Sequence, residues 1–408
     1  MAIDTARLRA DFPVLEREVN GRPLVYLDSA ASSQKPRQVV EAMSEYYYRH
    51  HANVHRGAHV LSVEATTLYE EARAEVAAFV GGDPQGLVFV RNATEAINLV
   101  AASWGRTNLG PGDEVVVTVA EHHANIVPWQ LVAAERGAVV RPVGLDAAGR
   151  VDMDALRAAL GPRTKLVAVF HVSNVLGTVN PVAEVAEAAH AAGALVLVDG
   201  AQAAPHLPVD VRALGCDFYA FSAHKMLGPT GIGALWARPE LLEAMPPFMG
   251  GGEMISRVSF EGTTYAPPPK RFEAGTPSIA EAVGFAAAVR YLRGVGLDAV
   301  RRHDEELVAR AVAGIEDLPG VTLVGPEEGR VGLVTFVVDG VHAHDVATAL
   351  DLEGVAVRAG MHCAQPLHRH LGIGATTRAS FYVYNDLSEV DAFLGALERV
   401  VTHFAATA

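Results

Sequence analysis

Between about residues 25 and 280, short apolar runs alternate with stretches of helical spacing, a pattern that restricts the chain to a parallel sheet covered by helices on both faces. The runs LVFVRN (87–92), EVVVTVAE (114–121), KLVAVFHVS (165–173), ALVLVDGAQ (194–202) and CDFYAFSAHK (216–225) read as strands. VPWQLVAAERG (127–137) and VAEVAEAAHAAG (182–193) read as helices, with Gly137 and Gly193 placed to end them. In such α/β sheets ligands bind beyond the carboxyl ends of the strands. Polar residues gather at those ends: Asn92 to Glu95, His122 and His123, Ser173 and Asn174, Asp199 to Gln202, and Ser222 to Lys225.

A chain of 408 residues exceeds what one core usually fills, so two domains are expected. A large domain over 26–280 is followed by a smaller α+β domain over 281–408, with residues 1–25 as an arm packing on the latter. EAVGFAAAVRYLRGVG (281–296) reads as the linking helix, and a Gly- and Pro-rich segment (246–278) is too long for a simple connector, so it belongs to the active site or to a subunit interface. The formal charge of −14, without a run of Lys and Arg, argues against nucleic acid. Neither a signal peptide nor a membrane helix is legible, which makes the cytoplasm the default location. With two cysteines, Cys216 and Cys363, free thiols are expected rather than a disulfide framework or a metal site.

FSAHKMLGPTGIG (221–233) puts a lysine at a strand end before a Gly-rich turn. A surface lysine is the ordinary alternative, but a lysine in a packed apolar setting tends to lose its charge, and the neutral amine is a nucleophile towards aldehydes. Asp199, also at the end of an apolar strand, suits the pyridine nitrogen of a pyridoxal cofactor, whose protonated ring acts as an electron sink. Gln202 either bonds the cofactor's ring oxygen or faces solvent at a helix start. Ala93 and Thr94, at the start of the helix after the first strand, offer backbone N–H groups to a phosphate, although Thr94 also suits an ordinary cap; Ser222 and His224 can approach the same anion. Cys363 sits in RAGMHCAQP (358–366), with Gly360 for mobility and His362 and Arg358 as nearby positive charge that would favour a thiolate, whereas Cys216 opens an apolar strand and reads as structural.

Taken together, LDSAASSQKP, EHHAN, VDGAQ, FSAHK, RFEAGTP, RAGMHCAQP and TRASFYVYND resemble, in order, the class V aminotransferase family of pyridoxal phosphate enzymes, and within it the SufS-type cysteine desulfurases. The resemblance implies fold type I, with a mainly parallel sheet of the seven-stranded type in the large domain. It implies that Lys225 carries pyridoxal 5'-phosphate, Asp199 holds the pyridine nitrogen, Gln202 contacts the ring oxygen and His122 stacks on the ring and moves protons. Capping or core packing is the alternative for His122 and His123. By the same resemblance Ala93, Thr94, Ser222 and His224 hold the phosphate, and Thr276 reaches the phosphate of a neighbouring subunit, which implies a homodimer. Arg378 with Asn174 anchors the carboxylate of L-cysteine, Arg358 is a further candidate with a surface role as its alternative, and Cys363 takes the sulfur as a persulfide destined, through an acceptor of the SufU or SufE kind, for iron–sulfur cluster assembly. Met361 stands where many relatives have a histidine.

Rival readings are a selenocysteine lyase or cysteine sulfinate desulfinase on the same fold, a true aminotransferase, and a silent sulfur-carrier scaffold. No metal site is expected. His342 and His344, before the helical stretch DVATALDLEG, read as a cap or a surface pair; alternatively His344 meets a zinc-containing acceptor, where an imidazole replaces a cysteine ligand.

Overall fold

The computed structural model describes residues 3–407. Seven strands form its main sheet: β1 (Leu87–Val90), β2 (Glu114–Thr118), β3 (Val139–Val143), β4 (Thr164–Phe170), β5 (Leu195–Asp199), β6 (Phe218–Ser222) and β7 (Gly233–Ala237). Their spatial order is β1-β7-β6-β5-β4-β2-β3, and β7 alone runs against its neighbours. The interior strands are apolar and β-branched because both faces are covered. β3 is half exposed and holds Pro142, which only an edge strand tolerates well. Helix Val127–Arg136 closes on Gly137 at φ 72°, and Gly193 follows helix Val182–Ala191 at φ 78°.

Helix Ile279–Val295 buries Phe285, Val289 and Leu292 in the same core as Val196 and Phe221 of the sheet. The next helix, Leu297–Glu316, begins in that core at Val300 and ends in a second one, where Leu307, Ala311 and Ile315 meet Phe336 and Phe393. This second core lies under a four-stranded antiparallel sheet ordered Val321–Leu323, Leu333–Val338, Thr376–Ser380, Arg358–Gly360. The N-terminal segment ties into both parts. Phe12 packs edge-on against Tyr291 and Tyr384, Arg9 pairs with Glu389, and Val25–Tyr26 runs parallel to Val355–Ala356.

The Gly- and Pro-rich segment is not all loop. It contains an antiparallel hairpin, Ile255–Ser259 with Gly262–Tyr265, that carries Val258, Phe260 and Tyr265 on its exposed surface. Among the described residues no helix is long and apolar enough to cross a membrane.

Candidate active site

The ends of β1, β2, β4, β5 and β6 surround a cavity of about 260 Å³, closed on the far side by the turn that carries Cys363 and by Arg358 and Arg378. Lys225 follows β6 on a single 3-10 turn, Ala223–Lys225. That turn is fixed from outside: Ser33 N–H at 3.0 Å, Ser32 Oγ and Ser33 Oγ at 3.2 Å and Lys35 Nζ at 2.9 Å all donate to the His224 carbonyl. Burial pulls the Lys225 ammonium down to about 8 against the opposing pull of Asp199, so the amine is neutral far more readily than an exposed lysine. Asp199, at the end of β5, accepts from Ala201 N at 3.0 Å and is 8% exposed.

The N-terminus of helix Ala93–Val100 opens into the cavity. Asn92 caps it by accepting from Glu95 N at 3.0 Å, so Thr94 is not the cap, and Ala93 N donates to Ser222 Oγ at 2.8 Å. The N–H of exposed Thr94 has no possible acceptor within its own helix. Gln202 lies in a turn rather than at a helix start, and its side chain is buried, donating to the Ala30 carbonyl at 2.7 Å. The solvent-facing alternative for Gln202 therefore falls.

His122 and His224 line the cavity, and burial with the charge of Lys225 holds both imidazoles down to about 4. They are neutral at ordinary pH, and His122 Nδ1 accepts from Ala124 N at 3.1 Å. Behind β4, His171 is likewise pushed down to about 4 by burial. These histidines make stability pH-dependent. Imidazoles that hold a proton below about 6.5 when unfolded refuse it when folded, so stability is full above that value and is lost as pH falls towards 4. Urea unfolding at pH 5 should show a loss of about 2 kcal/mol from His171 relative to pH 7.5, with His122 and His224 adding losses of the same sign. A midpoint unchanged over that interval would mean that the rings are charged in the fold.

Arg378, on strand Thr376–Ser380, is 2% exposed. Its Nη1 donates to the Asn174 carbonyl at 2.8 Å and its Nη2 lies 3.4 Å from Asp28, while its buried Nε has no partner. A buried guanidinium with a free donor suits a carboxylate ligand. Asp28 also takes Arg358 through both oxygens, at 2.9 to 3.2 Å, so Arg358 lines the cavity as half of an ion pair rather than as a free surface cation. Asp28 was not singled out from sequence, although it ends an apolar run in the same way as Asp199.

Cys363 is exposed and lines the cavity, whereas Cys216 is buried and its thiol is pushed far up by burial. His362 does not supply positive charge beside Cys363, as the sequence suggested. It is 8% exposed, burial and Arg378 hold it down to about 2, and its Nε2 lies 2.9 Å from Thr376 Oγ1. His362 and Cys363 sit at φ 48° and 56°. Two successive non-glycine residues in this left-handed region cost roughly 1–2 kcal/mol each, so the turn holds only because its surroundings impose it.

Two sequence candidates lie elsewhere. Thr276 lines a separate cavity with Tyr69, Phe89 and Glu273. His344 is exposed at the start of helix Ala343–Leu352, where His342 is the cap: His342 Nδ1 accepts from His344 N at 3.3 Å, and the two rings stack. Among the described residues no cluster of His, Cys, Asp and Glu is suited to a metal ion. A pyridoxal phosphate fits the donors of the main cavity: an amine, a carboxylate, a helix N-terminus with Ser222 and His224 beside it, and a buried guanidinium with a spare N–H.

Residues 25–393 match the family described as "Aminotransferase class-V". A relative described as "Probable cysteine desulfurase" from Halalkalibacterium halodurans is 52% identical over 394 residues, covering 96% of this chain and 97% of its own. The crystal structure of the cysteine desulfurase CsdA (S-sulfonic acid) from Escherichia coli superposes with a TM-score of 0.92 at 42% identity, covering 99% of this chain and all of that one. A C-DES mutant with glycine covalently linked to its PLP cofactor reaches a TM-score of 0.83 at 26% identity, covering 96% of this chain and 98% of that one. A family match spanning the sheet, the cavity and the cysteine turn, with half of all residues shared by a full-length relative, shows that the chain belongs to the class V aminotransferase family.

Proposed function

We propose that this chain is a pyridoxal phosphate-dependent cysteine desulfurase that converts L-cysteine to L-alanine and keeps the sulfur on Cys363 as a persulfide. The observation that carries the reading is one cavity holding a buried lysine with a lowered pKa, a carboxylate and a guanidinium with a spare N–H, with an exposed cysteine at its wall. When bound, the cofactor supplies the electron sink that loosens the bonds at the substrate's α-carbon. Lys225 holds the cofactor and then moves the α-proton, a role that its neutral amine suits. In this cavity Asp199 would keep a proton on the ring nitrogen, His122 would stack on the ring, Gln202 would meet the ring oxygen, and Ala93, Thr94, Ser222 and His224 would hold the phosphate. Arg378 and Asn174 orient the substrate carboxylate, with Arg358 beside them. The Cys363 thiolate attacks the substrate's sulfur. An S–S bond forms, the C–S bond breaks with its electron pair left on carbon, and a proton there completes the methyl group of alanine.

Alanine release from L-cysteine in the absence of a keto acid tests this reading, because an aminotransferase needs that acceptor and a silent scaffold makes none. Selenocysteine turned over at equal rate by the Cys363→Ser protein would favour the lyase rival instead. Arg378→Ala should raise the KM for cysteine at least about tenfold, the cost of losing a charge-assisted pair; an unchanged KM would remove Arg378 from the substrate site.

The finer proposal is a cytoplasmic homodimer that supplies iron–sulfur cluster assembly, with a large domain over 26–280, a small one over 281–408 and an arm, 1–25, packing with the small domain. Thr276 then serves the neighbouring subunit, a role that the exposed apolar hairpin in the same Gly- and Pro-rich segment supports. A sulfur acceptor of the SufU or SufE kind completes the cycle. The exposed imidazole of His344 is available to a zinc-bearing acceptor. His344→Ala should keep alanine formation with a small reductant and lose stimulation by the acceptor; equal stimulation over a full titration would exclude it.

A further inference from the structure

We propose that His123, which the desulfurase reading leaves without a task, is the positioning residue that holds the Cys363 turn against the cofactor cavity. The proposal rests on that reading for its consequence, but not for its geometry.

Helix Gln365–Leu371 begins immediately after the cysteine turn, and the residue at its N-cap is Ala364, which has no side-chain acceptor. Pro366 brings no N–H to the first turn of this helix. The N–H of Gln365 is satisfied from a different part of the chain, by His123 Nε2 at 3.1 Å. His123 thus caps this helix in place of Ala364. Its backbone N–H also donates to the Cys363 carbonyl at 2.7 Å. One residue therefore grips the chain at two points, the Cys363 carbonyl and the Gln365 N–H, where it leaves the left-handed pair His362 and Cys363.

A second grip comes from Asn174, whose Nδ2 donates to the His362 carbonyl at 2.6 Å. Asn174 sits in a loop whose successive carbonyls are themselves held, that of Asn174 by Arg378, that of Val175 by Thr335 and that of Leu176 by Arg330. With this side rigid, the His123 imidazole is the part of the clamp that one side-chain change can open. An imidazole accepts at Nε2 only when neutral, and burial keeps that of His123 below its ordinary value. The next residue back, His122, lines the cavity, so the same short segment, His122 to Asn125, touches both the cofactor site and the Cys363 turn.

The test compares wild type, His123→Ala and His123→Gln holoenzymes, the last because an amide oxygen can replace the acceptor. The rate of Cys363 alkylation by iodoacetamide is read by mass spectrometry, with buried Cys216 as the internal reference. Persulfide formation in a single turnover is read alongside it. Loss of one helix cap should raise Cys363 alkylation about fivefold and lower the persulfide rate by a similar factor, with KM for cysteine and the cofactor absorbance unchanged. His123→Gln should recover at least half of each effect. Wild-type rates in His123→Ala for both alkylation and persulfide formation would overturn the proposal, as would a defect that His123→Gln shares in full. Wild-type protein that takes no sulfur from cysteine would count against the desulfurase reading alone, and alkylation would still decide the role of His123.

Discussion

Lys225→Ala protein will have no borohydride-reducible cofactor adduct and will lose turnover by about 10⁴ or more, since the covalent anchor and the proton carrier go together. The expectation follows from burial. The amine is enclosed by the ends of β5 and β6, its ammonium is brought down to about 8, and four donors on the His224 carbonyl fix the peptide just before it. Lys35, the other partly buried lysine near the cavity, has its Nζ engaged with the Ser33 and His224 carbonyls and should not substitute. A reducible adduct at normal yield in Lys225→Ala would show that another lysine is the anchor.

The second large effect is at sulfur. Cys363→Ser should keep the cofactor absorbance and bind cysteine, yet carry no persulfide and form alanine at below about one per cent of the wild-type rate, because a serine hydroxyl does not take up sulfur in this way. Cys216→Ser should behave as wild type, since its thiol is buried, donates only weakly to the Val211 carbonyl at 3.6 Å and is held far from ionisation. Sulfide release at the normal rate by Cys363→Ser would remove Cys363 from the transfer step.

Much of this was legible in sequence, for physical reasons. Strands buried on both faces are continuous apolar runs, and the polar residue that ends such a run is conspicuous; Asp199, Ser222 and Lys225 were all read in that way, and they meet in one cavity. Asp28 obeys the same rule but was passed over because its strand, Val25–Tyr26, is too short to announce itself. Charge at the cysteine turn was misjudged for a different reason. Sequence proximity put His362 beside Cys363 as a cation, but in the fold its ring turns inward to Thr376 and is held neutral, while the charge of Arg358 is taken up by Asp28. The hairpin within 246–278 was obscured by the glycines and prolines around it, and its pairing carries a register shift between Ile255 and Arg257. The roles of Asn174 and His123 as clamps on the turn depend on contacts across 188 and 242 residues of chain, which no local pattern reveals.

The central claim is that sulfur from L-cysteine comes to rest on Cys363. Mass spectrometry of the holoenzyme after treatment with L-cysteine and rapid alkylation tests it directly. One added sulfur atom is expected, on the peptide that contains Cys363, with the Cys216 peptide unchanged. Alanine formed in full amount with no sulfur on the Cys363 peptide would contradict it.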